Sequence, residues 1–359
     1  CLELGWNYPL RLLFARYAVR RWKSQLKPTR LDELPRPDQY TGWDSFAVRA
    51  CAPDGSTLLL SIRKLCGRQP LAEIVVHVKL PDGTTYKLPQ HPDPAVCAWE
   101  NVEGGWSANG LKIQVLEDQA RYRFLYNGLL TRVEDGVTQH ARLNFVWASV
   151  TKAVRYPDDW SNKLAAEVLA LESWRDNQWP YMLGKWEEGG WLQWGAAQGR
   201  FQSFDEEGAV DKSVYLRTRG VKERRWAPHA YEGLRRSITI TAAAKDGTAV
   251  QLRCLSYKNV LTHCISGCVR FPDFTTRSIT YTDVVMSDFC ERPDGIPDIY
   301  TMNVSTDNCD LKLVLRINAD GGKLFSGVPY QQEVVYRTME VDINCEPGTG
   351  ILELGYEPS

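Results

Sequence analysis

The chain has 359 residues, more than one hydrophobic core usually serves, so two domains are expected. Its 43 Lys and Arg stand against 44 Asp and Glu, a net charge of -1 that excludes a global field for recruiting nucleic acid. No run approaches the roughly eighteen apolar residues that a spanning helix needs, so the chain is expected to be soluble.

Tyr8 to Lys27 predicts an amphipathic helix, with Leu10, Leu13, Phe14, Tyr17 and Ala18 at helical spacing and Arg11, Arg16, Arg20, Arg21 and Lys23 between them. Such a basic helix suits a membrane surface or self-association, and suits better a stripe packed on a neighbouring domain. Lys27 to Gln39 holds three prolines and reads as a connector that ends this N-terminal element (residues 1–39). From Tyr40 short β segments follow, punctuated by Pro53-Asp54-Gly55, Pro81-Asp82-Gly83, Asn109-Gly110, Asn127-Gly128 and Glu134-Asp135-Gly136, all turn chemistry. Strands at this spacing predict a barrel or sandwich over residues 40–157. Asp158 to Trp174 predicts a helix with Leu164, Val168 and Leu171 as its apolar stripe, and residues 158–189 are read as an interdomain linker. The β pattern resumes at Gly190 and runs to the C-terminus, predicting a second β domain over 190–359.

Ten cysteines fit either disulfides within each half or small buried hydrophobes, and the spacing leaves both open. The sequon Asn303-Val304-Ser305 tilts the compartment towards secretion, with the cytoplasm left open. His77, His91, His140, His229 and His263 show no metal-binding spacing, and His263 with Cys264 and Cys268 does not converge in a strand. No metal or required cofactor is expected. Neither a phosphate-binding glycine loop nor a hydrolase elbow occurs in the sequence.

Trp191 to Gly233 concentrates the chemistry. Gln193-Trp194-Gly195 with Gly199, the segment Arg219 to Trp226, and the hairpin Tyr122 to Leu130 resemble the lipocalin-like family that includes the carotenoid 1,2-hydratases. That resemblance implies an all-β fold of two tandem lipocalin-like antiparallel β-barrels, here with an N-terminal helix and a helical linker. Leu31 to Pro35 and Leu88 to Asp93 also resemble the N-terminal region of animal phosphoenolpyruvate-synthase-like proteins. The family's Asp-His at the corner is replaced by Glu223-Arg224. Alkene hydration needs a carboxylic acid kept protonated, and a neighbouring Arg acts against that.

Trp147, Trp191, Trp194 and Trp226 are therefore candidates to line a cavity for an apolar ligand, with Arg219 and Arg224 on its polar end and the Tyr231 hydroxyl at its mouth. Lys222 and Arg225 are expected in a solvated turn. The leading expectation is a non-catalytic protein binding an apolar small molecule, a carotenoid or related isoprenoid, without nucleic acid. The alternatives are an isoprenoid hydratase, isomerase or cyclase with Glu223 as acid, and an interaction domain of a phosphoenolpyruvate-synthase-like protein.

Overall fold

The computed structural model describes residues 7–67, 70–89, 96–172, 183, 188–228, 234–258, 261–289, 295–318, 323–325 and 333–356. Tyr231, His91 and His229 lie outside them. The chain opens with α1 (Tyr8–Gln25), started by a proline in its first turn. It continues through β1 (Gly42–Cys51), β2 (Thr57–Cys66), β3 (Leu71–Lys79), β4 (Thr85–Lys87), β5 (Val96–Ala98), β6 (Gly105–Ala108), β7 (Leu111–Glu117), β8 (Arg121–Arg132), β9 (Thr138–Ser149) and β10 (Val154–Tyr156). Next come α2 (Asn162–Leu171), β11 (Gly189–Phe204) and β12 (Val210–Ala227). The second sheet is built from β13 (Leu234–Ala244), β14 (Ala249–Tyr257), β15 (Cys264–Arg270), β16 (Thr276–Ser278), β17 (Tyr281–Thr282), β18 (Ile299–Ser305), β19 (Asp310–Ile317), β20 (Lys323–Phe325), β21 (Glu333–Ile343) and β22 (Glu346–Tyr356).

The fold is all-β in two barrel-like units. In the first, the strands β1-β2-β3-β4-β8-β9-β11-β12 are each hydrogen-bonded to the next, and β12 returns to β1 to close an eight-stranded ring. Closure leaves no open edge in the ring. The second sheet runs β16-β15-β14-β13-β22-β21-β19-β18-β17 without closing, a curled half-barrel. Inward residues alternate with outward ones, as along β9 with Ala141, Leu143, Phe145 and Trp147 buried and the residues between them exposed.

The ring corrects the position of the second domain. A boundary at residue 190 gives β11 and β12 to the second half, whereas both complete the first barrel. β11 pairs with β9 from Ser203↔Ala141 to Gly195↔Ser149, and β12 pairs with β1 from Trp43↔Ala227 to Cys51↔Arg219. The cause is backbone satisfaction: without them β1 and β9 would each present an unpaired edge.

Two helix expectations also change. On α1 the stripe Leu10, Leu13, Phe14 and Tyr17 faces solvent, and Ala15, Val19 and Trp22 are buried instead. Trp22 meets Trp160 edge-on, and this face packs on Ala165, Ala166 and Leu169 of α2. The second helix is shorter than 158–174. Asp158 and Asp159 pair with Arg155 ahead of it, and the Ser161 hydroxyl caps it by accepting from the Leu164 N–H at 3.3 Å. Its other face, Leu164 and Val168, joins the core of the second sheet. Cys51, Cys66, Cys97, Cys254, Cys264, Cys268, Cys309 and Cys345 are free thiols, and Cys51, Cys254, Cys264 and Cys268 are buried, as the small-hydrophobe alternative has it. Asn303 of the sequon stands in β18, its N–H and side-chain amide both donating to Asp283.

Candidate functional site

Strand β12 carries the chemistry on both faces. Arg219 to Trp226, expected as a corner, is a strand, and its alternation divides the segment. Lys222, Arg224 and Trp226 enter the first barrel, and Arg219, Glu223 and Arg225 face the second sheet.

Inside the barrel Arg224 is wholly buried and forks onto Asp44, with Nη2 to Oδ2 at 2.8 Å and Nε to Oδ1 at 3.3 Å. Asp44 also accepts from the Arg36 backbone N–H at 2.6 Å. Lys222 is equally buried, its Nζ 3.4 Å from the centre of the Tyr122 ring and 4.6 Å from that of Trp191. Burial pushes its pKa down to about 7, against the pull of Glu33. Glu33 is raised by burial, with Lys222 the largest opposing influence. Its carboxylate accepts from the Tyr122 hydroxyl and from the N–H of Gln119 at 2.9 Å.

Glu33 belongs to a strap, Leu31 to Arg36, that lies across this end of the barrel. The Asp32 carbonyl accepts from Arg224 and from Trp191 Nε1, the Glu33 carbonyl from Trp106 Nε1 at 2.9 Å, and the Arg36 carbonyl from Lys64 at 2.8 Å. Arg36 lies over the Trp226 ring at 4.5 Å. Pro37 biases the Arg36 backbone towards the extended region.

Trp147, Trp191 and Trp226, expected to line a ligand cavity, stand in the barrel interior, and Trp191 also borders a small cavity towards Tyr156 and Trp160. All three belong to a continuous packed core with Phe46, Tyr122 and Phe124, because side chains of this size from eight strands meet across a small barrel. Trp194 points the other way and packs with Val221 and Ala249 between the two units. The motif glycines have a packing cause. A Cβ at Gly195 would stand 2.5 Å from the Trp147 ring and one at Gly199 2.1 Å from the Asn144 carbonyl oxygen, so glycine lets β9 close on β11. Lys222 and Arg225 are buried, in place of the solvated turn expected for them.

The outer face of β12 meets the second sheet in an ionic seam. Glu223 pairs with Arg49 at 3.0 Å and Arg225 at 3.4 Å, and Arg49 reaches Glu353 of β22 at 2.7 Å. Arg225 and Arg253 share Glu188, at 2.8 and 3.0 Å. Two cavities flank this network, one of about 80 Å³ towards Trp43 and Ser237 and one of about 40 Å³ towards Tyr156 and Trp160. Glu223, Arg225 and Arg253 line both. Each has room for a few water molecules or a small polar group, not for a long chain.

The family resemblance at the expected corner brings Glu223 forward as a candidate, and the structure supplies the companions that sequence reasoning missed. Glu188 stands just before β11, Arg49 on β1, Arg253 on β14 and Glu353 on β22, and no spacing links them. Inside the barrel Glu33, Asp44 and the hydroxyl of Tyr122 were missed for the same reason.

The chain belongs to a family of unknown function, DUF8627, whose profile matches residues 3–356. No curated protein matches it. Among solved structures it is similar to an AttH-like protein from Nitrosomonas europaea, with 12% identity, TM-score 0.57, and 92% of this chain and 99% of that one covered. It is similar to kievitone hydratase from Nectria haematococca, with 11% identity, TM-score 0.52, and 93% and 94% covered. It is also similar to CghA bound to Sch210972, with 11% identity, TM-score 0.53, and 93% and 96% covered. At these identities the likeness shows a shared lipocalin-like fold, of which one bearer is a hydratase.

Proposed function

We propose that the protein is an enzyme of the hydratase class, adding water to a carbon–carbon double bond at the ionic seam, with Glu223 as its proton-transferring group. The observation that carries this reading is the position of Glu223, a carboxylate between two guanidinium groups at the junction of two small cavities. The guanidinium groups facing Glu223 suit an enone's oxygen, so Glu223 acts here as a base in place of the alkene-protonating acid of the sequence alternative. The matching substrate is a double bond conjugated to a carbonyl. Glu223 takes a proton from water, the water oxygen bonds to the far carbon of the double bond, and the electron pair moves onto the carbonyl oxygen. The guanidinium groups along the cavity walls stabilise the developing oxyanion. Glu223 then returns the proton to the carbon beside the carbonyl, completing a net addition of water.

Fold likeness to a named hydratase supports the class, and the size of the two cavities makes short enones the substrates to try first. The test is incubation of the purified protein with short-chain enones in ¹⁸O-water, read by mass spectrometry. Glu223→Gln is expected to lower incorporation about 100-fold or more, the usual worth of general acid–base catalysis. Undiminished turnover in that variant would remove Glu223 from the role. A visible absorption band in protein from its native source, with no turnover, would favour carotenoid carriage instead.

A further inference from the structure

The outer face of β12 continues past the seam. Two residues on from Glu223 stands Val221, and beyond it Arg219 and Arg217, each on the same face. Val221 packs with Trp194, Ala249, Leu192 and Ala243 into an apolar plug between the two units. Beyond the plug lies a groove of about 500 Å³, far larger than the seam cavities and within the range of small-molecule sites.

Four cations line it: Arg217 and Arg219 from β12, Lys245 after β13 and Arg316 from β19. All four are exposed, and among the described residues none has an ion-pair partner within 4 Å. Two carboxylates are present. Glu340 stands across the ladder from Arg316, and Asp342 accepts the Cys345 N–H at 2.6 Å in the β21–β22 turn. Arg217, Arg219 and Lys245 are left without a facing acid on the ladder. The field of Arg219 is felt at Arg270, which donates to the Gly247 carbonyl and is lowered first by burial and then by the charge of Arg219, with Asp246 opposing. The whole chain carries a net charge of -1, so this concentration is local. Pro53, Ala243, Val341 and Pro347 give the lining an apolar part, beside Cys51 and Thr349.

We infer that this groove binds a small organic anion, with two or more negative charges of the phosphate, diphosphate or dicarboxylate kind placed against Arg217, Arg219 and Lys245 and a short apolar body on the Pro53, Val341 and Pro347 side. Guanidinium groups recognise such oxygens through paired charge-assisted hydrogen bonds. The site is separate from Glu223, some 13 Å along the strand from Arg219 at about 3.3 Å per residue. It goes beyond the proposed hydration and stands whether or not Glu223 catalyses.

The test is calorimetric titration of the full chain with inorganic phosphate, pyrophosphate, citrate, octyl phosphate and octanol, at low and at physiological salt. Saturable one-to-one binding of pyrophosphate or citrate is expected, with octyl phosphate binding more tightly than inorganic phosphate and octanol not binding. Arg217→Ser and Arg219→Ser are each expected to weaken binding about tenfold, as loss of a charge-assisted contact does. Both residues are exposed on the strand, so Tm should not move. Arg200→Ser, an exposed arginine of β11 away from the groove, serves as control and should leave affinity unchanged. Equal weakening by Arg200→Ser, or full affinity in the Arg217→Ser/Arg219→Ser double variant, would overturn the assignment, as would the absence of saturable binding. Citrate alone binding would identify a carboxylate site; pyrophosphate and octyl phosphate alone, a phosphate site.

Discussion

Arg224 and Asp44 are both withdrawn from solvent, and each is the other's counter-charge. Removing one leaves the other buried and unmatched, which costs about 3–5 kcal/mol. Arg224→Met is therefore expected to lower unfolding free energy by that amount in denaturant titrations, and Arg224→Met with Asp44→Leu to recover most of it. Lys222 gives a different signature. Its pKa falls from 10.5 unfolded to about 7 folded, so between these values the unfolded chain holds more protons. Stability from this group therefore rises with pH through that window. Between pH 7 and 8.5 the wild type should gain stability relative to Lys222→Met. A parallel pair of curves would show that Lys222 keeps its proton. At this scale the sequence reveals alternation but not sides. Val-Lys-Glu-Arg-Arg-Trp has a period of two on either face, and charge suggests solvent for Lys222 until the aromatic ring wall around it is known.

Elements were more legible than residues. Turn signals such as Pro53-Asp54-Gly55 and Pro81-Asp82-Gly83 locate chain reversals, because glycine tolerates conformations that other residues resist. Pro81-Asp82-Gly83 is a tight turn with Gly83 at φ +87, whereas Asn127-Gly128 lies inside β8, its apparent turn overridden by pairing with β9. On α1 apolar spacing allowed two stripes, and small Ala15 beside Val19 and Trp22 won because they fit closely against the alanines of α2. Trp22→Ala is expected to cost about 3–5 kcal/mol, as for other buried aromatic truncations. The opposite face, Leu13 and Tyr17 beside Arg16, Arg20 and Arg21, is exposed and carries no acid. It is expected to hold the chain on vesicles containing phosphatidylserine. Leu13→Ser with Tyr17→Ser should abolish co-sedimentation without moving Tm.

At the scale of the whole molecule, partner choice is what the sequence conceals. Two β-rich halves are visible as patterns, yet a strand's alternation does not say which neighbour it will pair, and β11 and β12 follow a helix that reads as a boundary. The ring decides: β11 and β12 supply the backbone groups that β1 and β9 lack, so residues 189–227 should open with the first barrel. Native-state hydrogen exchange on the full chain can separate the two units. Leu352 is buried in the core of the second sheet, and Leu352→Ala should cost that sheet about 2–5 kcal/mol. Exchange in 234–257 and 346–356 is then expected to quicken correspondingly, with 189–227 tracking 42–66 and 138–149 instead. If 189–227 lost protection together with 234–257, the two strands would belong energetically to the second unit. The seam would then transmit stability, through Arg49 between Glu223 and Glu353, as strongly as the ladder hydrogen bonds do.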